Sequence, residues 1–134
     1  MTEINQLVAD TRNIIVCSVD EKGYPNAKAM FKTVHDDLKS FYFSTNTSSM
    51  RTQQFMKNSQ ASLYFCGNEE INGLMLIGEM KVLTDSAIKQ QFWQEGWKIF
   101  YPKGVNDPDY CILQFTAKQG HYYHALQKHN FDIE

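Results

Sequence analysis

The segment NIIVCSVDEKGYPNAKAMFKTV, residues 13–34, contains two β-type stretches joined by a turn. Residues 13–20 are mostly apolar and β-branched and end at an acidic residue, which is typical of a strand running into a turn. The linking residues EKGYP, 21–25, have turn chemistry, because glycine readily adopts positive φ. Residues 27–34 predict the returning strand. The segment is therefore a hairpin, and it favours antiparallel β-structure for the whole chain.

The rest of the chain repeats this alternation of short strands and turns, with few helices between them. Gly78 predicts a bulge or bend inside the longest predicted strand. Strands are predicted at 40–45, 61–67, 73–84 and 109–117, with a shorter one at 119–126. Helices are predicted at 3–10, within 45–58 with a cap near Thr47 or Ser48, and at 85–97 with Asp85 as the cap. Six or seven strands and two or three helices predict a mainly β protein, an antiparallel barrel with appended helices, as one domain over residues 1–134.

Composition limits the classes of function. The chain has 134 residues with 43% hydrophobic and 13% aromatic residues and a formal net charge of −2, which argues against disorder and against a general binder of nucleic acid. No apolar stretch approaches the roughly 20 residues that cross a bilayer, and residues 1–13 lack the pattern of a secretory signal. Three widely spaced cysteines favour reduced thiols in the cytoplasm, and the spacing of the four histidines predicts no metal site.

One segment has the chemistry of a binding site. Thr45, Ser49 and Arg51 surround the predicted start of a helix, where unpaired backbone amides, hydroxyls and a guanidinium can hold a phosphate. Lys28 on an earlier strand could supply a second positive charge. The same residues are equally typical of an ordinary helix cap and of a lysine that faces water. The residues alone leave both interpretations open.

The order of several short motifs resembles one protein family. These are G-Y-P-x-x-K-x-M-x-K, F-Y-F-S-T-N-T-S-S-M-R-T-Q-Q-F-x-x-N, S-L-Y-F, L-M-L-I-G-E-M-K-V and F-Y-P-K-G-V-N-D-P-D-Y-C-I-L-Q-F-T-A. Together they cover roughly residues 13–123 and resemble the pyridoxamine 5′-phosphate oxidase-like flavoproteins, most closely the general stress protein branch.

The resemblance implies a Greek-key-like split β-barrel that binds FMN in two symmetric clefts of a homodimer. It places Lys28, Ser49 and Arg51 on the FMN phosphate and Thr45 at the mouth of that loop. The strand from Ala29 to Lys32 would run along the edge of the isoalloxazine ring. The implied cofactor-binding residues are Lys28, Ala29, Met30, Phe31, Lys32, Thr45, Ser49 and Arg51.

The chain also departs from the oxidases that give the family its name. Met50 stands where they carry another basic residue, and Gly73 stands where they have a glutamine that contacts the flavin. Their C-terminal arginine and histidine pattern for pyridoxal phosphate is not recognisable in residues 120–134. The resemblance therefore supports FMN binding and does not support oxidation of pyridoxamine phosphate.

The predicted function is that of an FMN-binding oxidoreductase for an unidentified small substrate, with NAD(P)H as a candidate electron donor and no catalytic residue assigned. One alternative is a stress-related sensor or carrier that binds flavin, or another phosphorylated or planar ligand, without turnover. The other is a structural or interaction domain that binds no flavin. Four aromatic residues between 93 and 101 either line the flavin cleft from the partner subunit or only pack in the core or the interface; they are Trp93, Trp97, Phe100 and Tyr101.

Overall fold

The strands belong to one antiparallel sheet that curls around a hydrophobic core. The computed structural model describes residues 2–31, 34–68 and 71–134, and within these ranges it contains eight strands and three α-helices. The strands are β1 Asn13–Val19, β2 Pro25–Phe31, β3 Val34–Asp36, β4 Ser40–Asn46, β5 Gln60–Cys66, β6 Gly73–Leu83, β7 Tyr110–His124 and β8 Gln127–Asp132. The helices are α1 Thr2–Asp10, α2 Met50–Lys57 and α3 Ser86–Phe92, with short 3-10 helices at Glu95–Ile99 and Gly104–Asn106.

The order of strands across the sheet is β2-β1-β5-β6-β7-β4-β3, and every pairing is antiparallel. Strand β7 pairs with β6 along one side and with β4 and then β8 along the other. The predicted antiparallel split barrel with appended helices is confirmed. None of the helices in the described residues is long and apolar enough to span a bilayer.

Alternation of buried and exposed residues along the strands produces the core. In β4, Phe41, Phe43 and Thr45 point inward, and the residues between them are half-buried. Helix α1 packs on this core through Ile4 and Val8. A second, smaller apolar cluster lies under α3 and is formed by Phe92, Tyr101, Tyr110 and Ile112.

Three local predictions are confirmed. The register of β6 against β7 shifts between Ile77 and Gly78, as a bulge at this glycine requires. The side chain of Asp85 accepts the backbone N–H of Ile88 at 3.3 Å and caps α3. Helix α2 is present but begins later than predicted: its cap is Ser49, whose hydroxyl accepts the N–H of Thr52.

The C-terminal region differs from the prediction. Strand β7 continues to His124 without a break and so joins the two strands predicted at 109–117 and 119–126. The short strand β3 was not predicted, and neither was β8, so the described residues form eight strands where six or seven were predicted. Strand β8 pairs with the second half of β7. The tight turn between them places Ala125 at φ 51° and Leu126 at φ 67°. Neither residue is a glycine or asparagine, the usual signal for such a turn, and β8 was therefore missed.

We expect Leu126→Gly to stabilise the protein by about 0.5–1 kcal/mol. Glycine removes roughly 1–2 kcal/mol of steric cost at positive φ in the folded state. It also raises the conformational entropy of the unfolded chain, which lowers stability by about 0.4–1 kcal/mol. The Leu126 side chain is 88% exposed, so little packing is lost. Urea unfolding measures the change. The control is Lys128→Gly, which removes an exposed side chain in the neighbouring strand β8, outside the positive-φ region, and should destabilise; equal effects of both variants would contradict the backbone explanation.

Candidate functional site

A groove of about 700 Å³ lies between the edge strand β2, the end of β4, the first turn of α2 and the segment 94–101. It contains six of the eight residues that the sequence predicted for cofactor binding: Lys28, Ala29, Met30, Phe31, Thr45 and Arg51. Lys32 lies outside the described residues, and Ser49 does not line the groove. The structure therefore brings together side chains from segments that are distant in sequence.

Among the described residues, Arg51 is one of the two cations that line the groove, the other being Lys28. Its Nη2 donates to Thr45 Oγ1 at 3.3 Å. Its Nε is buried and, within the described part of the chain, is the only buried side-chain nitrogen or oxygen without a hydrogen-bond partner. Burial lowers the pKa of this guanidinium. Because a buried donor without an acceptor costs free energy, the groove favours an anion that accepts from Arg51.

Strand β2 forms the open side of the groove. It is an edge strand, and its residues are mostly exposed, including Lys28. Lys28 lies opposite Val16 in the hairpin register, and its ammonium group is free to approach a ligand from the solvent side. Met30 packs into the barrel core, while Phe31 is 76% exposed.

The start of helix α2 contributes less to the groove than the sequence suggested. The Ser49 hydroxyl is engaged with both the N–H and the hydroxyl of Thr52, at 3.2 and 2.7 Å. The amides of Thr47 and Ser48 donate to the carbonyl and the carboxylate of Asp109. These two amides are therefore not available to an anion, and Arg51 provides the charged group of this segment. A direct contact from Ser49 to a cofactor stays a prediction.

Aromatic residues form the side opposite β2. Trp97 and Phe100 line the groove, and Phe100 is 62% exposed. Tyr101 also lines it but is only 3% exposed. Burial raises the pKa of Tyr101, so this phenol stays protonated at neutral pH. Trp93 packs instead in the small cluster against Tyr110, with ring centroids 5.3 Å apart.

Sequence reasoning missed four residues that line the groove: Asn13, Ser44, Asn46 and Gln94. Ser44 and Asn46 flank Thr45 in the predicted phosphate segment, so the alternation of a strand end could have suggested them. Asn13 and Gln94 belong to no motif, and only the folding of the sheet brings them here. The described residues contain no cluster of three or more His, Cys, Asp or Glu side chains that could hold a metal ion.

The sequence profile of one family, described as pyridoxamine 5′-phosphate oxidase like, matches residues 1–133. The chain belongs to this family. The match covers nearly the whole sequence, so the family assignment extends over the barrel, the groove and the C-terminal hairpin alike.

Solved structures agree with this assignment. A protein from Clostridium acetobutylicum, related to general stress protein 26 of B. subtilis and of the pyridoxinephosphate oxidase family, is 43% identical, with a TM-score of 0.88 over 98% of this chain and 93% of that one. General stress protein 26 of Bacillus anthracis shares the fold at 17% identity and a TM-score of 0.78, over 98% of this chain and 97% of that one. A heme binding protein of Mycobacterium smegmatis has the same fold at 9% identity and a TM-score of 0.77, over 97% of this chain and 56% of that one.

A curated oxidase shows how far the similarity to an enzyme extends. The pyridoxine/pyridoxamine 5′-phosphate oxidase of Pseudoalteromonas translucida is 31% identical over 83 residues, which are 62% of this chain and 39% of that protein. The chain thus spans about two-fifths of the length of this oxidase.

Two of the three departures from the oxidases, those at Met50 and Gly73, can be placed in the structure. Met50 is 67% exposed and does not line the groove, so Arg51 has no basic neighbour on its own helix turn there. Gly73 also lies outside the groove, and a Cβ added to it would meet the Tyr64 hydroxyl at 2.1 Å. A glutamine at position 73 would therefore require Tyr64 to move.

Proposed function

We propose that the protein binds FMN in this groove and, as a homodimer, uses it as an oxidoreductase for a small substrate. The observation that carries the proposal is the buried, unpartnered Nε of Arg51, a residue that lines a groove together with aromatic side chains. Membership of the family and six groove-lining residues that match its motif support the same cofactor.

The phosphate of FMN would lie against Arg51, Thr45 and Lys28. A guanidinium, a hydroxyl and an ammonium group provide both the charge and the donors that a phosphate dianion requires. The guanidinium is already oriented by its hydrogen bond to Thr45 Oγ1. Only three donor groups are needed, which is compatible with a chain whose net charge is −2.

The isoalloxazine ring would extend along β2 toward Trp97 and Phe100. Aromatic side chains favour a planar ring, and the backbone of an edge strand carries N–H and C=O groups that are not paired within the sheet. When bound, FMN would supply hydride and electron transfer. The residues of the chain bind and orient it; the described lining contains no His, Asp or Glu, and no proton-transfer residue is assigned.

The homodimer is supported by apolar side chains that are exposed around the groove. Ile99 and Phe100 are 80% and 62% exposed on its aromatic side, and Phe31 is 76% exposed on β2. Tyr64 and Ile77 extend the apolar surface onto β5 and β6. Exposed patches of this kind mark association surfaces, and a second copy packed here would close the open side of the groove. The free thiols of Cys17, Cys66 and Cys111 fit a cytoplasmic setting.

Haem is the rival ligand, because the fold is shared with a heme binding protein. Haem iron is most often held by His, Cys or Met, or by a tyrosinate. Among the described residues lining the groove there is no His or Cys, Met30 packs in the core, and burial raises the pKa of Tyr101, which disfavours the tyrosinate that would hold the iron. The groove therefore favours a phosphate-bearing flavin over haem.

Titration of purified protein with FMN, riboflavin and haemin tests the cofactor. We expect FMN fluorescence to be quenched with a Kd at least tenfold below that of riboflavin, since only FMN carries the phosphate. A protein that neither quenches FMN nor gains thermal stability with it would refute the cofactor assignment. Light scattering gives the oligomeric state in the same samples. Anaerobic mixing with NADH and NADPH separates a reductase from a carrier, because flavin that stays oxidised would support the carrier.

A further inference from the structure

Asp109, which lies just before β7, holds the segment between β4 and α2 in place. Its carboxylate accepts from the Ser48 N–H at 2.8 Å, the Ser48 hydroxyl at 3.1 Å and Asn46 Nδ2 at 2.8 Å. Its backbone carbonyl accepts the N–H of Thr47 at 2.7 Å. Asp109 thus accepts four hydrogen bonds from residues 46–48, which lie 61 to 63 positions away in the sequence, and these bonds hold that segment in place.

The segment held by Asp109 leads directly into the binding groove. Asn46 lines the groove itself, and Arg51 follows in the first turn of α2. Asp109 does not line the groove. It is in turn oriented by Asp107, whose carboxylate accepts the N–H of Asp109 at 2.9 Å and that of Lys103 at 3.1 Å. The position of Asp109 is therefore determined independently of any ligand.

We propose that Asp109 is a positioning residue that orients Asn46 and Arg51 for the phosphate of the bound flavin. The inference rests on the function proposed above and deepens it. Such a role explains why a carboxylate lies next to a site that attracts an anion. Electrostatics alone would disfavour it there, since like charges repel, and the benefit must come from the geometry that it imposes.

The charge of Asp109 reaches the groove. Burial is the main cause of the raised pKa of Tyr101, and the negative charge of Asp109 adds to it. Hydrogen bonding from Ser48 holds the pKa of Asp109 itself below its ordinary value, so the carboxylate is ionised at neutral pH. Two effects of neutralising Asp109 therefore oppose each other: lost repulsion would tighten phosphate binding, and lost orientation would weaken it.

The variant Asp109→Asn distinguishes the two effects, because lost repulsion would lower the Kd for FMN and lost orientation would raise it. The new amide can still accept from the Ser48 N–H, but its NH₂ group replaces the oxygen that accepts from Asn46 Nδ2, so Asn46 loses its present orientation and can bond only with its amide rotated. We expect the Kd for FMN to rise on the order of fivefold, as for one lost hydrogen bond, while the Kd for riboflavin changes less than twofold. An FMN-to-riboflavin affinity ratio that is unchanged or increased would overturn the proposal.

Asp20→Asn is the matched control. Asp20 also anchors a turn by three hydrogen bonds, from the N–H groups of Lys22 and Tyr24 and from Asn26 Nδ2, but it lies outside the groove. We expect it to lower thermal stability without changing the affinity ratio. A fall in the ratio in both variants would show a general loss of stability and would also overturn the proposal.

A milder variant keeps the test usable if Asp109→Asn does not fold. Ser48→Ala removes one donor to Asp109 and leaves every residue lining the groove in place. We expect it to lower the affinity ratio about twofold. If the unaltered protein binds no FMN, the proposed function fails; if it binds FMN and both variants keep the original ratio, only the positioning role fails.

Discussion

Replacing Arg51 with alanine is expected to weaken FMN binding by about ten- to a hundredfold. The guanidinium carries the buried Nε without a partner, and a charge-assisted hydrogen bond contributes roughly 1.5–3 kcal/mol. Riboflavin lacks the phosphate, so its affinity should change by less than twofold. Fluorescence titration of Arg51→Ala with both ligands measures the difference. The FMN affinity of Arg51→Lys should lie between those of the unaltered protein and Arg51→Ala, because lysine keeps the charge but loses the bidentate geometry.

Lys57→Ala is the control for charge. Lys57 lies on the same helix as Arg51 but near its other end, where it is exposed and pairs with Glu21. The two variants therefore lose the same charge from the same helix, and only one of them alters the groove. Unchanged FMN affinity in Arg51→Ala, or an equal loss in Lys57→Ala, would place the phosphate elsewhere.

Gly78→Ala is expected to destabilise the fold by about 3 kcal/mol, at the upper end of what overpacking costs. At the β6 bulge an added Cβ would lie 2.0 Å from the backbone oxygen of Thr116 and 2.9 Å from its carbonyl carbon. Backbone atoms of the neighbouring strand cannot rotate away as a side chain can, so β6 and β7 would have to separate locally. Thermal unfolding should show a fall in Tm of about 10 °C.

Two other glycines serve as controls for this prediction. Gly96 has no atom within 4 Å of an added Cβ and no positive φ, so Gly96→Ala should be nearly neutral. Gly23 has equally open space but a φ of 86°, and Gly23→Ala should cost about 1 kcal/mol for backbone strain alone. If Gly78→Ala is no worse than Gly23→Ala, the close approach of β6 to β7 is not what constrains this position.

Much of the fold could be predicted because its local signals agree with its tertiary structure. The hairpin of β1 and β2 and the bulge at Gly78 each follow from residues that are typical of those features. Strand β8 could not be predicted, because its turn uses Ala125 and Leu126 in a conformation that normally requires glycine or asparagine. The start of α2 was misplaced because three consecutive residues, Thr47 to Ser49, are all suitable caps.

The site shows the limit of sequence reasoning more clearly. Lys28, Thr45 and Arg51 could be grouped because their side chains suit a phosphate and a family resemblance connects their motifs, and the structure places all three along one groove. The use of the Ser48 amide by Asp109 could not be foreseen, because the two residues are 61 positions apart and no local pattern links them. An isolated helix start presents free amides, whereas here the folded chain supplies its own carboxylate.

The length and placement of β7 bear on how this chain reaches its native state. This strand of 15 residues is the only one in the described sheet that pairs with three others, and its partner β4 is separated from it by about half of the chain. The hairpins of β1 with β2 and of β7 with β8 join neighbouring residues and can form early. Closure of β4 onto β7 must wait until the intervening chain has been ordered, and pairing across such separations is slow. Because this closure also brings Asp109 to Asn46, the groove would be completed in one of the last steps of folding.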